Sequence, residues 1–457
     1  MQHDFLGNTV TAEGDDALRA IDDFIEGFLA YEARAERILA AAEAQPGCCL
    51  ANVYAGFLWM FLEAPDAAQH AARYLAAAER AAAPTPREAL NVALLRAWSA
   101  QDQAEMLRLC DQISDRYPRD LVVVKTHQYF EFNRGNSPAM LRVAMKVLAR
   151  NADIPYMHGM AAFAYEQCHL LEEAEIAART AIDMRGKEPW AQHALAHVML
   201  TRGRVDEGSR FLEGVSDGWT GLNSFMVTHL WWHLALFYIS QGRRAGVLDI
   251  YDRHCWGVAK SYSQDQIGAV SLLARMELAG IDVGERWRDV GEHLAARAQD
   301  TVLPFLSMQY LYGLARAGRP EADALLRSVR QAAASAPDCA REVWRDVALP
   351  ACEGLHAYSR HDFDAAWRRL AAAMPRMTEA GGSHAQRDLF EQVMLDSAIK
   401  SGRLTPAQQS LELRRTADPD GVPVNLALAR VYAGLGLPHL ADRARVRAAL
   451  TRSRHGD

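Results

Sequence analysis

Between Pro155 and Pro189 the chain reads PYMHGMAAFAYEQCHLLEEAEIAARTAIDMRGKEP, and this stretch decides the fold. Gly159, Ala162 and Phe163 recur at helical spacing along its first half. Leu170-Leu171-Glu172-Glu173-Ala174 then makes a turn, and Ala174, Ala178 and Ala181 fall three or four residues apart, on one face of a second helix. Small residues at these offsets let two helices approach closely. Pro189 restarts the next helix at its first turn, where the missing N–H is no loss.

The pattern repeats on both sides. The following unit runs from Trp190 to about Asn223 with Arg202-Gly203-Arg204 at its turn, and another begins near Ser224 with Gln241-Gly242-Arg243 in the equivalent place. Upstream, residues 50–87, 89–120 and 121–153 turn near Glu63-Ala64-Pro65, Ala100-Gln101-Asp102 and Arg134-Gly135-Asn136. Beyond Gly280 the period loosens, yet helix pairs recur at 304–334, 349–374, 384–415 and 422–450. No stretch alternates as a strand would. The expected fold is all-α: a tetratricopeptide-like helical-repeat solenoid of antiparallel helix pairs, with C-terminal helices folding back to close one end. No long Gly/Ser/Pro linker interrupts it. We therefore expect one continuous array over residues 1–457, regular over 1–280 and more divergent over 281–457.

Composition agrees and narrows the function. Hydrophobic residues make up 50% and charged residues 23%, a globular balance, and alanine runs such as Ala81-Ala82-Ala83 favour packed helices. The net charge is −7, and no stretch interleaves Lys and Arg with aromatics, so no nucleic-acid partner is expected. The one basic cluster, Arg443, Arg445, Arg447, Arg452 and Arg454, reads as the solvated face of a terminal helix. Seven cysteines without a C-x-x-C pair argue against a disulfide framework or a zinc knuckle. The start Met1-Gln2-His3-Asp4-Phe5 lacks the features of a signal peptide, and the densest apolar stretch, Leu230 to Ile239, is too short to span a bilayer. The expectation is a cytoplasmic protein with no membrane partner, and homo-oligomerisation stays open.

The chemistry lies in a ladder of histidines. His193 and His197, and likewise His229 and His233, are spaced i, i+4, which puts each pair on one helical face. Both pairs fall on first helices of adjacent units. His158 belongs to the unit before, and the steps 158→193→229, of 35 and 36 residues, nearly match the repeat. Three readings compete. The imidazoles are hydrogen-bonded within a tight helical stack, or they line a polar pocket for a small ligand, or they hold a metal ion. Obvious carboxylate company for a hydrolytic metal centre is missing, although Glu166 and Asp265 are placed to orient a histidine. Of the flanking aromatics, Trp190, Trp231, Trp232, Phe225, Phe237 and Tyr238, most belong to the core, and one or two, with Trp190 and Trp232 as candidates, wall a pocket.

These segments resemble the tetratricopeptide repeat protein 38 family, found in bacteria and animals. The matching stretches are Trp190-x-x-His193-x-x-Ala196-His197 and His229-x-x-Trp232-His233-x-Ala235-Leu236. Further on come Gly280-Ile-Asp-Val-Gly284-Glu-Arg-Trp287, Arg345-Asp346-Val347-x-Leu349-Pro350 and Gly381-Gly382-Ser383-x-Ala385-Gln386-Arg387-Asp388. The resemblance runs in order along nearly the whole chain and implies the fold read above for a bacterial member. It carries no general activity. It implies a site at His193, His197, His229, His233, Arg387 and Asp388, with Arg387 as an anion-binding group. By themselves Gly381-Gly382-Ser383 would read as a loop or helix N-cap, and Arg387-Asp388 as a surface pair. The chain departs from relatives at Ser307-Met308-Gln309, where Asp-x-His is frequent, near Gly268, and at Gln128-Tyr129.

Two functions follow. The first is a scaffold that binds a small molecule, a peptide or a partner protein. The second is an enzyme using His193, His197, His229 and His233 for acid–base or metal-assisted work on a small anionic substrate. No nucleophile motif, phosphate loop or dinucleotide fingerprint names a reaction, so no catalytic residue and no cofactor is assigned. Cys168 and His169 are adjacent on a helix, point about 100° apart and form no dyad.

Overall fold

The computed structural model describes residues 2–12 and 14–456. Its fold is all-α and tetratricopeptide-like, as the repeat pattern requires. The four C-terminal pairs fall at Pro304–Arg316/Glu321–Ser335, Leu349–Ser359/Phe363–Ala373, His384–Lys400/Leu404–Ala417 and Val422–Gly434/Pro438–His455. One feature departs from the sequence reading. Gln2–His3 pairs antiparallel with Thr9–Val10. Two residues a side are too few to alternate, and the hairpin owes its existence to its turn. The Asp4 carboxylate accepts from the backbone N–H groups of Leu6 (3.1 Å) and Asn8 (2.8 Å). It is then gripped by buried Arg87 at 3.0 Å, which also reaches Asp120 at 3.0 Å.

The turns explain why the helices come in tight pairs. At Gln101, Gly135, Gly203, Gly242, His361 and Gly402 the backbone enters the left-handed region. The next N–H then reaches back to a carbonyl five residues earlier, as in Asp102 to Ala97 (2.9 Å), Asn136 to Glu131 (2.9 Å) and Arg204 to Met199 (2.8 Å). Those bonds satisfy carbonyls that a helix end leaves open. At Asp102, Asn136 and Asp362 the same residue caps the following helix through its side chain. One residue thus ends one helix and begins another.

The chain forms two compact units. One comprises the residues up to Leu195 together with Trp219–Met226, the other Ala196–Gly218 together with Val227 onward. The helices Pro189–Thr201 and Ser224–Gln241 contribute residues to both. In the first unit Ala174, Ala178 and Ala181 are fully buried, as the opening stretch predicts. In the second unit the last helices fold back onto earlier turns. A Cβ on Gly203 would lie 1.9 Å from the Ala417 carbonyl oxygen, and one on Gly242 would lie 3.1 Å from both Arg452 and Val422. Of the basic cluster on Pro438–His455, Arg443, Arg445 and Arg454 are exposed and Arg447 and Arg452 part-buried, while Ala441, Ala444 and Ala448 are buried. Among the described residues no disulfide joins any of the seven cysteines. Among the described residues no helix is long and apolar enough to cross a membrane.

Candidate functional site

The histidine ladder divides between the units. In the first, His158 does not join the others: its Nε2 lies 2.9 Å from the Ala152 carbonyl and closes the loop before its own helix. His193 is 1% exposed. Its ring stacks on Trp190 with centroids 4.5 Å apart and tilts against Phe163 at 5.2 Å. Trp190 in turn meets Tyr31 at 5.0 Å. This wall is apolar, yet it borders two ionisable groups that sequence reading missed. The Lys125 Nζ sits 3.3 Å from the Tyr31 ring centroid and donates to the carbonyls of Phe28 (2.5 Å) and Leu29 (3.2 Å). Burial holds that amine well below the usual lysine range. Glu188 is wholly buried and accepts the Ala191 N–H at the start of a helix. Burial pushes its carboxyl up to about 7, against the pull of the Ala191 N–H and of Lys125.

In the second unit the imidazoles converge. His197 and His233 are fully buried, and their ring centroids are 4.5 Å apart. The Nε2 atoms of His229 and His233 approach to 3.3 Å, and His197 Nδ1 lies 3.3 Å from Nε2 of His384. One ring nitrogen from each of His197, His229 and His233 lies within 4.8 Å of the others. The i, i+4 spacing seen in the sequence delivers the His229–His233 approach directly. Trp232 frames the cluster, stacked on His229 at 5.4 Å and edge-on to His233 at 4.8 Å. Burial, then the neighbouring His197, lowers the His229 pKa to about 3. At neutral pH this ring is uncharged and keeps a nitrogen lone pair to offer.

The helix His384–Lys400 brings the remaining groups. Ser383 is its N-cap in a full capping box with Gln386, as its composition suggests. The motif through this segment left position 384 unspecified, and His384 is the cluster member that sequence reading missed. Arg387, expected to bind an anion, donates instead to the carbonyl oxygens of Gly381 and Gly382. Asp388 is not a surface pair with Arg387. It accepts from Arg275 at 2.9 Å and from Arg414, and Gln392 adds a third bond at 2.6 Å. Burial alone would raise its carboxyl, but the two guanidiniums prevail and hold it well below the usual carboxylate range. Arg275, 4% exposed, also donates to the Ala385 carbonyl at 2.6 Å and lies 5.5 Å from the Trp232 ring. Neither Arg275 nor Arg414 stands at a spacing that points to the site, for both come from other helices.

Of the two carboxylates considered as orienting groups, Glu166 accepts from Gln167 at 2.6 Å. Asp265 accepts from Thr228 at 3.2 Å and from the Ala259 N–H at 3.2 Å, fixing the residue before His229. Ser307 bonds to the carbonyls of Asp300 and Leu303, and Gln309 is buried.

No family model matches the chain. Among solved structures it is similar to the human IFIT1 dimer with m7Gppp-AAAA, at 13% identity over 98% of this chain and 96% of that one, with a TM-score of 0.44. It is also similar to the P58(IPK) TPR domain, at 14% identity over 81% and 93% with a TM-score of 0.23. A third is Naa15/Naa10 bound to HypK-THB, at 12% identity over 95% and 68% with a TM-score of 0.25. None of these likenesses carries a residue role or a ligand to this chain. The expectation of no nucleic-acid partner accordingly rests on charge pattern alone.

Proposed function

We propose that this chain is a bacterial member of the tetratricopeptide repeat protein 38 family and a ligand-binding scaffold, whose specific site is the imidazole cluster of the second unit. We further propose that the cluster takes a divalent late transition-metal ion through His197, His229 and His233. The observation that carries this reading is the 3.3 Å between Nε2 of His229 and Nε2 of His233, with His197 close by. Two nitrogens bound tetrahedrally at Zn–N distances near 2.0–2.1 Å stand about 3.3–3.4 Å apart. The lowered basicity of His229 favours the neutral, ligating form at neutral pH. His193 with Trp190 in the first unit, and separately Trp232 beside the cluster in the second, are kept as the ligand-binding candidates suggested by spacing. Arg387 and Asp388 are assigned to holding the His384–Lys400 helix, not to contacting ligand. At a pKa of about 3 His229 itself is poorly matched to proton transfer at neutral pH.

Elemental analysis of the purified full chain after dialysis against zinc tests the reading. About one ion per chain is expected, falling to background in His233→Ala, with a Co(II) d–d spectrum of a low-symmetry site in the wild type. No stoichiometric metal in the wild type, or the same content in His233→Ala, overturns the metal reading.

A further inference from the structure

A second site lies wholly in the second unit, on the side where the C-terminal helices fold back. The turn after Pro189–Thr201, the end of Ser224–Gln241, the loop after Leu404–Ala417 and the last turn of Pro438–His455 enclose a cleft of about 230 Å³. Its lining carries the carboxylates of Asp206, Glu207, Asp418 and Asp420 against Arg204, Arg454 and His455. Three of the four acids have a basic neighbour. Glu207 pairs with Arg204 at 2.6 Å, Asp420 with Arg454 at 2.9 Å, and Asp206 with His455 at 3.2 Å. Among the described residues Asp418 has no ion pair. Its Oδ2 accepts from the Ser240 hydroxyl at 2.6 Å, and the guanidinium that influences it, Arg414, is committed to Asp388 and Glu391.

A second and independent observation points the same way. Gln241 lines the cleft and is 2% exposed. Its amide orientation is fixed, because Nε2 donates to the Asp206 carboxylate (2.9 Å) and to Ser209 Oγ (3.0 Å). That leaves Oε1 as a buried acceptor with no donor among the described residues. Buried polar atoms are rarely left so in a folded chain, and each one asks for an explanation. The residues of the cleft thus include a half-buried carboxylate without a cation and a buried carbonyl without a donor.

We propose that this cleft binds an alkylammonium group, with the Asp418 carboxylate and Gln241 Oε1 as its acceptors. A primary ammonium carries three N–H donors and one positive charge, which matches both deficits at once. A metal ion is the poorer fit. Among the described residues, the groups of His, Cys, Asp and Glu with ligand atoms within 4.8 Å of one another lie elsewhere. The ammonium has two natural sources, a free di- or polyamine or a lysine side chain on a peptide.

Isothermal titration of the full chain with putrescine, with Nα-acetyl-lysine amide and with 1,4-butanediol separates these sources and controls for stem burial. Saturable binding of at least one amine, none of the diol, and a loss of about 10-fold or more in Asp418→Asn are expected for a charge-assisted contact. Gln241→Leu keeps the carboxylate and should weaken binding several-fold, which covers the case in which Asp418→Asn does not fold. Ser240→Ala frees Asp418 Oδ2 and should leave amine affinity equal or higher. The proposal fails if neither amine saturates, if the diol binds equally well, or if amine affinity is unchanged in Asp418→Asn or Gln241→Leu.

Discussion

Asp388→Asn should destabilise the second unit and loosen the histidine cluster together. The change keeps the shape of the side chain and removes its charge, leaving Arg275 buried at 4% exposure without a carboxylate. Breaking a buried ion pair from one side costs about 3–5 kcal/mol. Two features reduce that figure. Arg275 keeps its bond to the Ala385 carbonyl, and the Asp388 and Arg414 side chains retain 28% and 25% exposure, so their half of the network is partly solvated. A cost of about 2–3 kcal/mol remains, or a fall of roughly 4–6 °C in the melting of a unit of this size. The pH dependence has a definite sign. The native carboxyl is held below its ordinary value, so its stabilisation is complete above about pH 4 and is lost as pH falls through the native pKa. The gap between wild type and Asp388→Asn, followed by calorimetry, should therefore be flat from pH 5 to 8 and close in acid. A shift below 1 °C at pH 7, or a gap that widens in acid, would refute the reasoning.

Other expectations follow from single positions. Gln101→Gly should stabilise by about 0.5–1 kcal/mol in denaturant titrations, because this exposed residue holds a φ of 57° that glycine adopts without strain. Gly203→Ala should cost about 3 kcal/mol or more, since its φ is 68° and its Cβ would strike the Ala417 carbonyl at 1.9 Å; wild-type stability would remove that argument. Arg87→Met should cost about 3–5 kcal/mol by stranding Asp4 and Asp120. That deficit should shrink towards pH 4, because burial raises the Asp4 pKa and protonation relieves it. Finally, zinc affinity, read by competition with a chromophoric chelator, should rise when formate is added, and equal affinity with and without formate would show that the bound ion needs no counter-charge.

The fold was legible because the repeat writes itself in local chemistry. The small residues of 155–189, the Gly or Asn at turns and the proline restarts act over a few positions, and each reports one helix pair. The hairpin at Gln2–Val10 escaped because it depends on Arg87 and on one Asp turn, contacts that no short window contains. The site was legible to the same extent. His229 and His233 meet because i, i+4 neighbours must meet on a helix. His384, Arg275 and Arg414 arrive from helices far along the chain, and no spacing announces them. His158 shows the opposite error: it sits at the right repeat phase, yet its ring turns to the Ala152 carbonyl. Repeat phase fixes the position of a backbone, and the nearest acceptor fixes the direction of a side chain.

Charge decides what such a cluster would choose. The imidazoles of His197, His229 and His233 contribute no negative charge, and burial keeps His229 neutral in the physiological range. On the helix of His384, Asp388 and Glu391 are matched by Arg275 and Arg414, so that network adds no net charge. A divalent ion bound there by imidazoles alone would carry its full charge into a buried site, at a desolvation cost that neutral ligands offset only in part. A small anion in the fourth position lowers that cost. By linkage, whatever the anion adds to metal affinity the metal adds to anion affinity. Formate should therefore tighten zinc, and zinc should create formate binding where the metal-free chain has none. If the cluster instead served an uncharged ligand through hydrogen bonds alone, the two equilibria would be independent.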